Sequence, residues 1–400
     1  MSKTNNDLMS EKDIYSVATD PIYIGTGGYT IGRVDNTIVR DPITKIPKIP
    51  GSSLAGTWRY YVALELISKI KDYQPDFEKI KNIDMDKKAS EQKEKKSLSD
   101  KIKEYKWKHL NEEDKNNFDK LEKWLKFEGN QIAKITCAGQ DNVPTGEIDS
   151  PDKTDKDGNT GHCGHCIVCK AFGYSKKDKS WQGMLFFSDL NILFFPVYTR
   201  LGVKWITSER ILKEAGLLNT NKSETTQKIV FAQEKIEEGK EEGYINLGWL
   251  NLPYKVENYD INNLEKISSD NFQLSLEDII VVPDSLISHI INSNLEVRTS
   301  VSIDPITGAA KEGALFTSEA IPRGTVFYGS LRLMERQSLG NNLPSKADIW
   351  KALNDTKKYY ETFGIGGMTT RGFGRMKILS VLWKVKNTNP TDGGKKDGKS

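Results

Sequence analysis

The chain has 400 residues, a formal net charge of +3, 37% hydrophobic residues and 28% charged residues. This length fits one large domain with insertions or two modest domains, and the charge alone indicates no partner. The N-terminus lacks the apolar segment of a secretory signal, and no apolar run approaches the roughly 18 residues of a membrane span. The composition therefore predicts a cytoplasmic protein without a membrane partner.

The first predicted elements are a strand and a hairpin-like loop over residues 21–50. A helix is then expected to start at Ser52 or Ser53, because serine is a favoured N-cap. Its buried face is predicted from apolar residues at helical spacing, namely Leu54, Trp58, Tyr61, Val62 and Leu66.

The middle of the chain alternates between polar and apolar stretches. Residues 72–136 are dense in Lys, Glu and Asp and predict a charged helical insertion. Residues 137–169 hold a cysteine cluster and a loop-like segment at 138–161. Short apolar runs at 184–187 and 192–195 predict buried strands.

The C-terminal part is predicted to begin with a protruding β-hairpin at 295–320. A strand at 325–333, a helix at 346–363 and a strand at 376–385 follow, and the composition of 386–400 predicts a disordered tail.

The order of these elements fits an α+β protein with a ferredoxin-like (RRM-like) palm formed by residues 14–71 and 170–385. Such a sheet leaves one face free for binding. The sequence Asp-Pro-Ile-Thr at 41–44 recurs at 304–307. This repeat indicates either an internal duplication or ordinary Asp-Pro turn chemistry.

The cysteines indicate a metal site. Cys163, Cys166 and Cys169 form two overlapping C-x-x-C units, and Cys137 is the remaining cysteine. In a cytoplasmic protein this spacing favours a structural, tetrahedral zinc site over a disulfide. Cys137 is the expected fourth ligand, with His162 or His165 as alternatives, and free buried thiols are the competing interpretation.

The glycine-rich segment before the predicted helix indicates anion binding. Orphan amides at a helix N-terminus, with Ser52 and Ser53, would receive a phosphate, and Arg59 one turn later would add a second contact. The alternative is a well-capped helix preceded by a glycine turn.

A second glycine-rich segment lies near the C-terminus. Gly366, Gly367, Arg371 and Arg375 combine bare backbone with guanidinium groups, as phosphate binding requires. The alternative is a glycine-rich turn before the last strand. Arg298 begins the protruding hairpin, which would either wedge between bases or serve as an interaction arm.

Together these segments resemble the RAMP superfamily, and closely the backbone subunit of type III CRISPR–Cas effector complexes of the Csm/Cmr kind, leaning towards Cmr. The resemblance covers residues ~20–70, 160–215 and 295–378. It is carried by Asp35 to Pro42, Ile-Pro-Gly-Ser-Ser-Leu, Cys-x-x-Cys-x-x-Cys-Lys-Ala-Phe-Gly, Phe-Pro-Val, Lys-Glu-Gly-Ala-Leu-Phe and the final Arg-Gly-Phe-Gly-Arg.

The resemblance implies a palm with a thumb hairpin whose copies stack along a CRISPR guide RNA beside other effector subunits. It implies that Asp35 cleaves complementary target RNA with a divalent ion such as Mg²⁺, through attack by the ribose 2′-hydroxyl. The family's usual lysine is replaced by Ala55, which weakens one expected guide contact, while Arg40, Lys48 and Arg59 remain nearby.

Three alternatives compete with a target-cleaving backbone subunit. The first is a non-catalytic guide-RNA scaffold or capping subunit of the same complex. The second is a guide-processing endoribonuclease, which is disfavoured because no histidine lies beside the glycine-rich segments. The third is a zinc-dependent protein-interaction module, which would leave Arg371 and Arg375 unexplained.

Overall fold

The computed structural model of the chain describes residues 9–27, 34–71, 135–139, 162, 166–176, 179–218, 229–233, 242–258, 261–262, 264–268, 272–335 and 343–383. Nearly all of the predicted insertion at 72–136, most of the loop at 138–161, Cys163 and the predicted tail at 386–400 lie outside these residues.

The described residues form a mixed α+β fold organised around one large sheet. The helices are α1 (Gly51–Lys71), α2 (Ile167–Phe172), α3 (Glu209–Glu214), α4 (Asp284–Ser293), α5 (Lys346–Thr356) and α6 (Lys358–Thr362). The strands are β1 (Met9–Ala18), β2 (Lys48–Ile49), β3 (Tyr174–Lys176), β4 (Lys179–Trp181), β5 (Leu185–Phe187), β6 (Leu190–Thr199), β7 (Gly202–Thr207), β8 (Ile229–Gln233), β9 (Glu242–Leu247), β10 (Leu250–Asn258), β11 (Ile279–Val281), β12 (Glu296–Ile303), β13 (Ala310–Ala320), β14 (Val326–Met334) and β15 (Met376–Trp383).

The centre of the sheet is antiparallel, in the order β15-β1-β14-β6. The sheet continues from β6 through β7-β11-β8-β10-β9, and the parallel pairs β7/β11 and β8/β10 make it mixed. The apolar stretches predicted as buried strands are β5 and β6, and this prediction is confirmed. Phe194 and Phe195 of β6 are both fully buried, which is typical of a strand covered on two faces.

Helix α1 covers the sheet with the face that its spacing predicts, and all five predicted apolar residues are buried. Trp58 packs edge-on against Tyr360 and donates its indole N–H to the carbonyl of Leu353 at 3.2 Å and to the hydroxyl of Thr356 at 3.0 Å. Burying one such side chain contributes about 1.5–3 kcal/mol. Trp58 therefore joins α1 to α5 and α6.

Some predicted boundaries differ from the structure. Helix α1 begins at Gly51, since the amide of Leu54 donates to the carbonyl of Pro50, so neither serine is the N-cap. The described part of residues 21–50 contains isolated bridges and the short strand β2, because its pairing is divided between bridges within the segment and short contacts with β6 and the hairpin region. The predicted helix at 346–363 is divided at Lys357, where the chain turns.

The predicted hairpin at 295–320 is present as β12 and β13, which pair antiparallel from Glu296↔Ala320 to Ile303↔Ala310. The two strands form a sheet of their own, separate from the large sheet. Their distal end leaves large apolar side chains in solvent, namely those of Ile303, Ile306 and Leu315.

The repeated Asp-Pro-Ile-Thr sequences adopt similar turns. Oδ1 of Asp41 accepts hydrogen bonds from the amides of Ile43 and Thr44 at 3.0 and 2.8 Å. Oδ1 of Asp304 accepts from the amides two and three residues later at 2.8 and 3.4 Å. Local Asp-Pro turn chemistry therefore accounts for the repeat.

Candidate nucleic-acid interface

Asp35 lies at the base of the hairpin, where residues 34–36 run parallel to the end of β13. Its Oδ2 accepts hydrogen bonds from the backbone amide of Thr317 at 2.7 Å and from the Thr317 hydroxyl at 2.9 Å. The backbone hydrogen bond and then the hydroxyl bond lower the pKa of Asp35. The carboxylate is exposed, and its Oδ1 has no hydrogen-bond partner among the described residues.

Arg40 fixes the hairpin base to α4. Its guanidinium contacts Oε2 of Glu319 at 2.6 Å and donates to Oδ1 of Asn292 at 2.8 Å and to the carbonyl of Ile38 at 3.0 Å. Glu319 is largely buried, so this ion pair is shielded from water. The sequence places Arg40 among the RNA contacts, whereas the structure gives it three protein partners and a structural position.

Lys48 and the first turn of α1 share the carboxylate of Asp189. The ammonium of Lys48 lies 2.7 Å from Oδ2 of Asp189 and 3.4 Å from Asp41. Oδ1 of Asp189 accepts from the amide of Gly51 at 2.8 Å. A protein carboxylate therefore already occupies part of the predicted anion site. Ser52 remains exposed and Ser53 half-exposed beside it.

Arg298 connects the hairpin to the C-terminal glycine-rich loop (residues 364–375). Its Nη1 donates to the carbonyl of Gly372 at 3.0 Å, and its guanidinium lies 4.7 Å from the ring centre of Phe373. Its Nε pairs with Glu296 at 2.6 Å. These contacts bring the predicted hairpin and the second glycine-rich segment to one side of the molecule.

The glycines of this loop allow close contact with residues 21–25. The amide of Gly367 donates to the carbonyl of Tyr23 at 2.9 Å. Gly366 has φ +83°, and a Cβ there would lie 2.2 Å from the same carbonyl oxygen. Packing thus explains Gly366 and Gly367, which sequence analysis assigned to phosphate binding.

The two arginines of the loop differ in their surroundings. Arg371 is exposed, and its guanidinium has no partner within the described ranges. Arg375 donates to the carboxylate of Asp20 and remains half-exposed. Arg371 is therefore the more available cation for an anionic ligand.

The cysteine cluster is buried behind α1. The sulfur atoms of Cys137, Cys166 and Cys169 all lie within 4.8 Å of one another, and Nδ1 of His162 lies 3.9 Å from Sγ of Cys169. Three thiols with an adjacent imidazole fit the donor set of tetrahedral zinc. The cluster can hold a metal ion, while Cys163 lies outside the described residues.

Arg59 faces this cluster. Its Nε donates to the carbonyl of Cys137 at 2.8 Å, and its Nη2 lies 2.9 Å from Nδ1 of His162. The guanidinium is therefore engaged with Cys137 and His162 at the cysteine cluster, in contrast to the expected phosphate contact beside Ser52. Sequence analysis missed this position because no local pattern connects a helix residue to a cysteine cluster 78 residues later.

The family model for the RAMP superfamily matches residues 17–377. This chain belongs to the RAMP superfamily. It is 27% identical over 238 residues to the CRISPR system Cmr endoribonuclease Cmr4 of Pyrococcus furiosus, covering 56% of this chain and 77% of that protein. It is also 56% identical over 36 residues to the CRISPR system Cms endoribonuclease Csm3 of Methanothermobacter thermautotrophicus, which is 9% of this chain and 15% of the relative.

Two similar solved structures are a type III-B Cmr-beta complex in the apo state and an oligomeric Cmr4 from Pyrococcus furiosus. The first has a TM-score of 0.48 and 15% identity, covering 94% of this chain and 98% of the other. The second has a TM-score of 0.44 and 16% identity, with coverage of 92% and 98%.

In this RAMP superfamily chain, three parts that are distant in sequence meet at the hairpin base: the N-terminal stretches 20–27 and 34–41, the hairpin and the glycine-rich loop. Asp35, Arg298, Arg371 and Arg375 belong to these segments, whereas Arg59 lies at the cysteine cluster. Among the described residues, no helix combines the length and the apolar character needed to cross a membrane.

Proposed function

We propose that this protein is a guide-RNA-binding backbone subunit of a type III CRISPR effector complex that cleaves complementary target RNA at Asp35. The single observation that carries the proposal is the contact between Asp35 and Thr317, which holds an exposed, ionised carboxylate at the base of a protruding hairpin. Similarity to proteins named as Cmr4 and Csm3 endoribonucleases supports the reaction class.

The topology supports the ferredoxin-like palm of this proposal. The antiparallel order β15-β1-β14-β6, with α1 after the first strand and α5 before the last, corresponds to a split βαβ arrangement. The β12–β13 hairpin is the thumb, and its apolar tip, including Ile306, is suited to wedge against nucleobases. Arg298, Arg371 and Arg375 supply cations beside it.

The chemistry we propose is an internal transesterification of the target strand. The ribose 2′-oxygen bonds to the adjacent phosphorus and loses its proton, while the bond to the 5′-oxygen breaks and that oxygen gains a proton. The products are a cyclic 2′,3′-phosphate and a 5′-hydroxyl. A divalent ion such as Mg²⁺, when bound, supplies neutralisation of the negative charge on the phosphate.

Asp35 acts in this scheme through its ionised oxygen. Because hydrogen bonds lower its pKa, the carboxylate is a weak base at neutral pH and a poor acceptor for the 2′-hydroxyl proton. Its open Oδ1 is an oxygen ligand of the type that Mg²⁺ prefers. The hydrogen bonds from Thr317 to Oδ2 fix the orientation of the carboxylate and therefore of Oδ1. Asp35 thus contributes to cleavage through its negative charge and its placement beside the RNA more than by accepting a proton.

The remaining parts have structural roles in the proposal. A zinc ion stabilises the segment behind α1, with Cys137, Cys166 and Cys169 as ligands and Cys163 or His162 as the fourth.

The start of α1 is where a guide phosphate would approach, near Ser52, Ser53 and Lys48. Copies of this subunit and other effector subunits share one guide RNA in the cytoplasm.

The decisive experiment compares Asp35→Ala with the native subunit in assembled, guide-loaded complexes. We expect Asp35→Ala to abolish cleavage of complementary RNA while assembly and guide retention persist. Asp355→Ala, which changes an aspartate that pairs with Lys351 on α5, away from the hairpin, is the matched control and should cleave normally. Cleavage by the Asp35→Ala complex would favour the alternative, a non-catalytic scaffold or capping subunit.

A further inference from the structure

A cleft of about 300 Å³ lies between α1 and the glycine-rich loop, on the side of α1 that carries Thr57 and Tyr60. Its opposite wall is formed by Phe363, Gly366 and Thr369. We propose that this cleft binds one nucleobase of an RNA strand by stacking. The inference rests on the proposed function only in taking RNA as the ligand, and it does not depend on Asp35.

The aromatic walls of the cleft are exposed but rigidly supported. Tyr60 and Phe363 are 43% and 48% exposed, and the cleft brings these two rings together at the surface. Phe363 is stacked on Tyr359 at 5.7 Å and lies 6.1 Å from Tyr61. Tyr61 in turn donates its hydroxyl to the carbonyl of Gly364. The ring of Tyr60 lies 5.9 Å from that of Tyr61. Both exposed rings therefore pack on Tyr61 before any ligand arrives, which reduces the entropy lost on binding.

The cleft also offers groups that suit the edge of a base. The hydroxyls of Thr57 and Thr369 line it, and neither has a hydrogen-bond partner within the described part of the chain. A threonine hydroxyl both donates and accepts, so it matches either kind of group on a base edge. Exposed aromatic rings can stack on a flat heterocycle, and the polar groups beside them can hydrogen-bond to its edge.

A phosphate contact is available beside the cleft. Arg371 belongs to the same short helical turn as Thr369, is exposed and has no side-chain partner among the described residues. On the other wall, Ser53 lies one helical turn before Thr57, so the start of α1 is the next surface that a strand leaving the cleft would meet. A strand with a phosphate at Arg371 would thus place an adjoining base between Tyr60 and Phe363. The volume is at the small end for ligand sites, which fits one base better than a peptide.

The test uses the full-length protein and an adenosine homopolymer RNA that carries 2-aminopurine, whose fluorescence falls when it stacks. We expect quenching with the native protein and with Tyr60→Phe, which keeps the ring. Tyr60→Ala and Phe363→Leu should each lose the quenching and weaken binding about 5- to 150-fold, the range for one stacked base. Tyr198→Ala, which removes an exposed tyrosine on β6, is the matched control and should bind normally.

Removing the bases from the RNA separates stacking from charge. A ribose-phosphate polymer without bases should bind more weakly to the native protein, and Tyr60→Ala should weaken it no further. Equal losses on both polymers, or unchanged binding and quenching in Tyr60→Ala, would overturn the proposal. Adenosine monophosphate that binds as tightly as the RNA would instead identify a free-nucleotide site and also overturn it. All measurements are made in the Asp35→Ala background, so failure of the cleavage proposal leaves this result interpretable.

Discussion

Thr317 donates two hydrogen bonds to one carboxylate oxygen of Asp35, a residue 282 positions earlier in the chain. The contact joins the loop that carries the candidate catalytic residue to the base of the thumb hairpin. The position of Asp35 is therefore coupled to the position of the hairpin, and both would be set by the same RNA strand.

Removing the Thr317 hydroxyl should impair cleavage without impairing binding. In Thr317→Val the hydrogen bond from the backbone amide of residue 317 to Asp35 remains, but the hydroxyl hydrogen bond is lost and the carboxylate can rotate more freely. We therefore expect target cleavage to slow about 3- to 10-fold. Single-turnover cleavage and guide-RNA affinity should be measured together. Thr317→Ser, which keeps the hydroxyl, is the control and should behave as the native protein. Equal cleavage rates in the valine and serine variants would contradict the positioning role.

The pH dependence of cleavage should not show the titration of Asp35 near neutrality. Hydrogen bonds from Thr317 lower the pKa of Asp35 below the ordinary value of an aspartate, so the carboxylate stays ionised throughout the neutral range. Cleavage should therefore rise with pH between about 6 and 8, as expected when 2′-hydroxyl deprotonation limits the rate. An acidic limb with an apparent pKa near 6, followed by a plateau up to pH 8, would oppose this assignment.

The Arg40–Glu319 ion pair should stabilise the folded state. Arg40→Ala leaves the largely buried Glu319 carboxylate unpaired, and we expect a loss of about 1–3 kcal/mol in the free energy of unfolding. Replacing both residues should recover part of this loss in denaturant titrations. The exposed pair Arg332–Glu11 is the comparison, and Arg332→Ala should cost less than about 1 kcal/mol. Equal losses of free energy of unfolding in Arg40→Ala and Arg332→Ala would show that the Arg40–Glu319 ion pair has no special stabilising role at the hairpin base.

The cysteine cluster should bind structural zinc. Purified protein is expected to contain about one zinc ion per chain, and Cys166→Ser should lose it together with thermal stability. Comparing Cys163→Ala with His162→Ala identifies the fourth ligand, because only the true ligand is needed for full occupancy. A metal-free native protein with unchanged melting temperature in chelator would exclude the site.

Arg371 should contribute more to RNA binding than Arg375, because Arg375 already pairs with Asp20. Arg371→Gln should weaken RNA binding and reduce the slope of log affinity against log salt concentration by about 1. Arg375→Gln should change the slope less. Arg323→Gln, an equal change of charge at an exposed arginine of the turn before β14, is the control. A similar slope change in all the variants would indicate only a general effect of net charge.

The sequence by itself determined the features that depend on neighbouring residues. Helical spacing identified the buried face of α1, alternation and turn residues identified the hairpin, and the C-x-x-C spacing brought Cys166 and Cys169 together. Each of these follows from geometry within a few residues, such as the period of a helix or the reach of one loop.

Only the tertiary structure decided which polar groups are available for a ligand. Arg40 pairs with Glu319, Arg59 faces the cysteine cluster, and Gly366 makes room for the carbonyl of Tyr23. In the sequence, these residues look the same as phosphate-binding ones. The difference arises because a guanidinium or a bare amide binds whichever partner the fold brings within about 3 Å, and that partner is set by packing between distant segments.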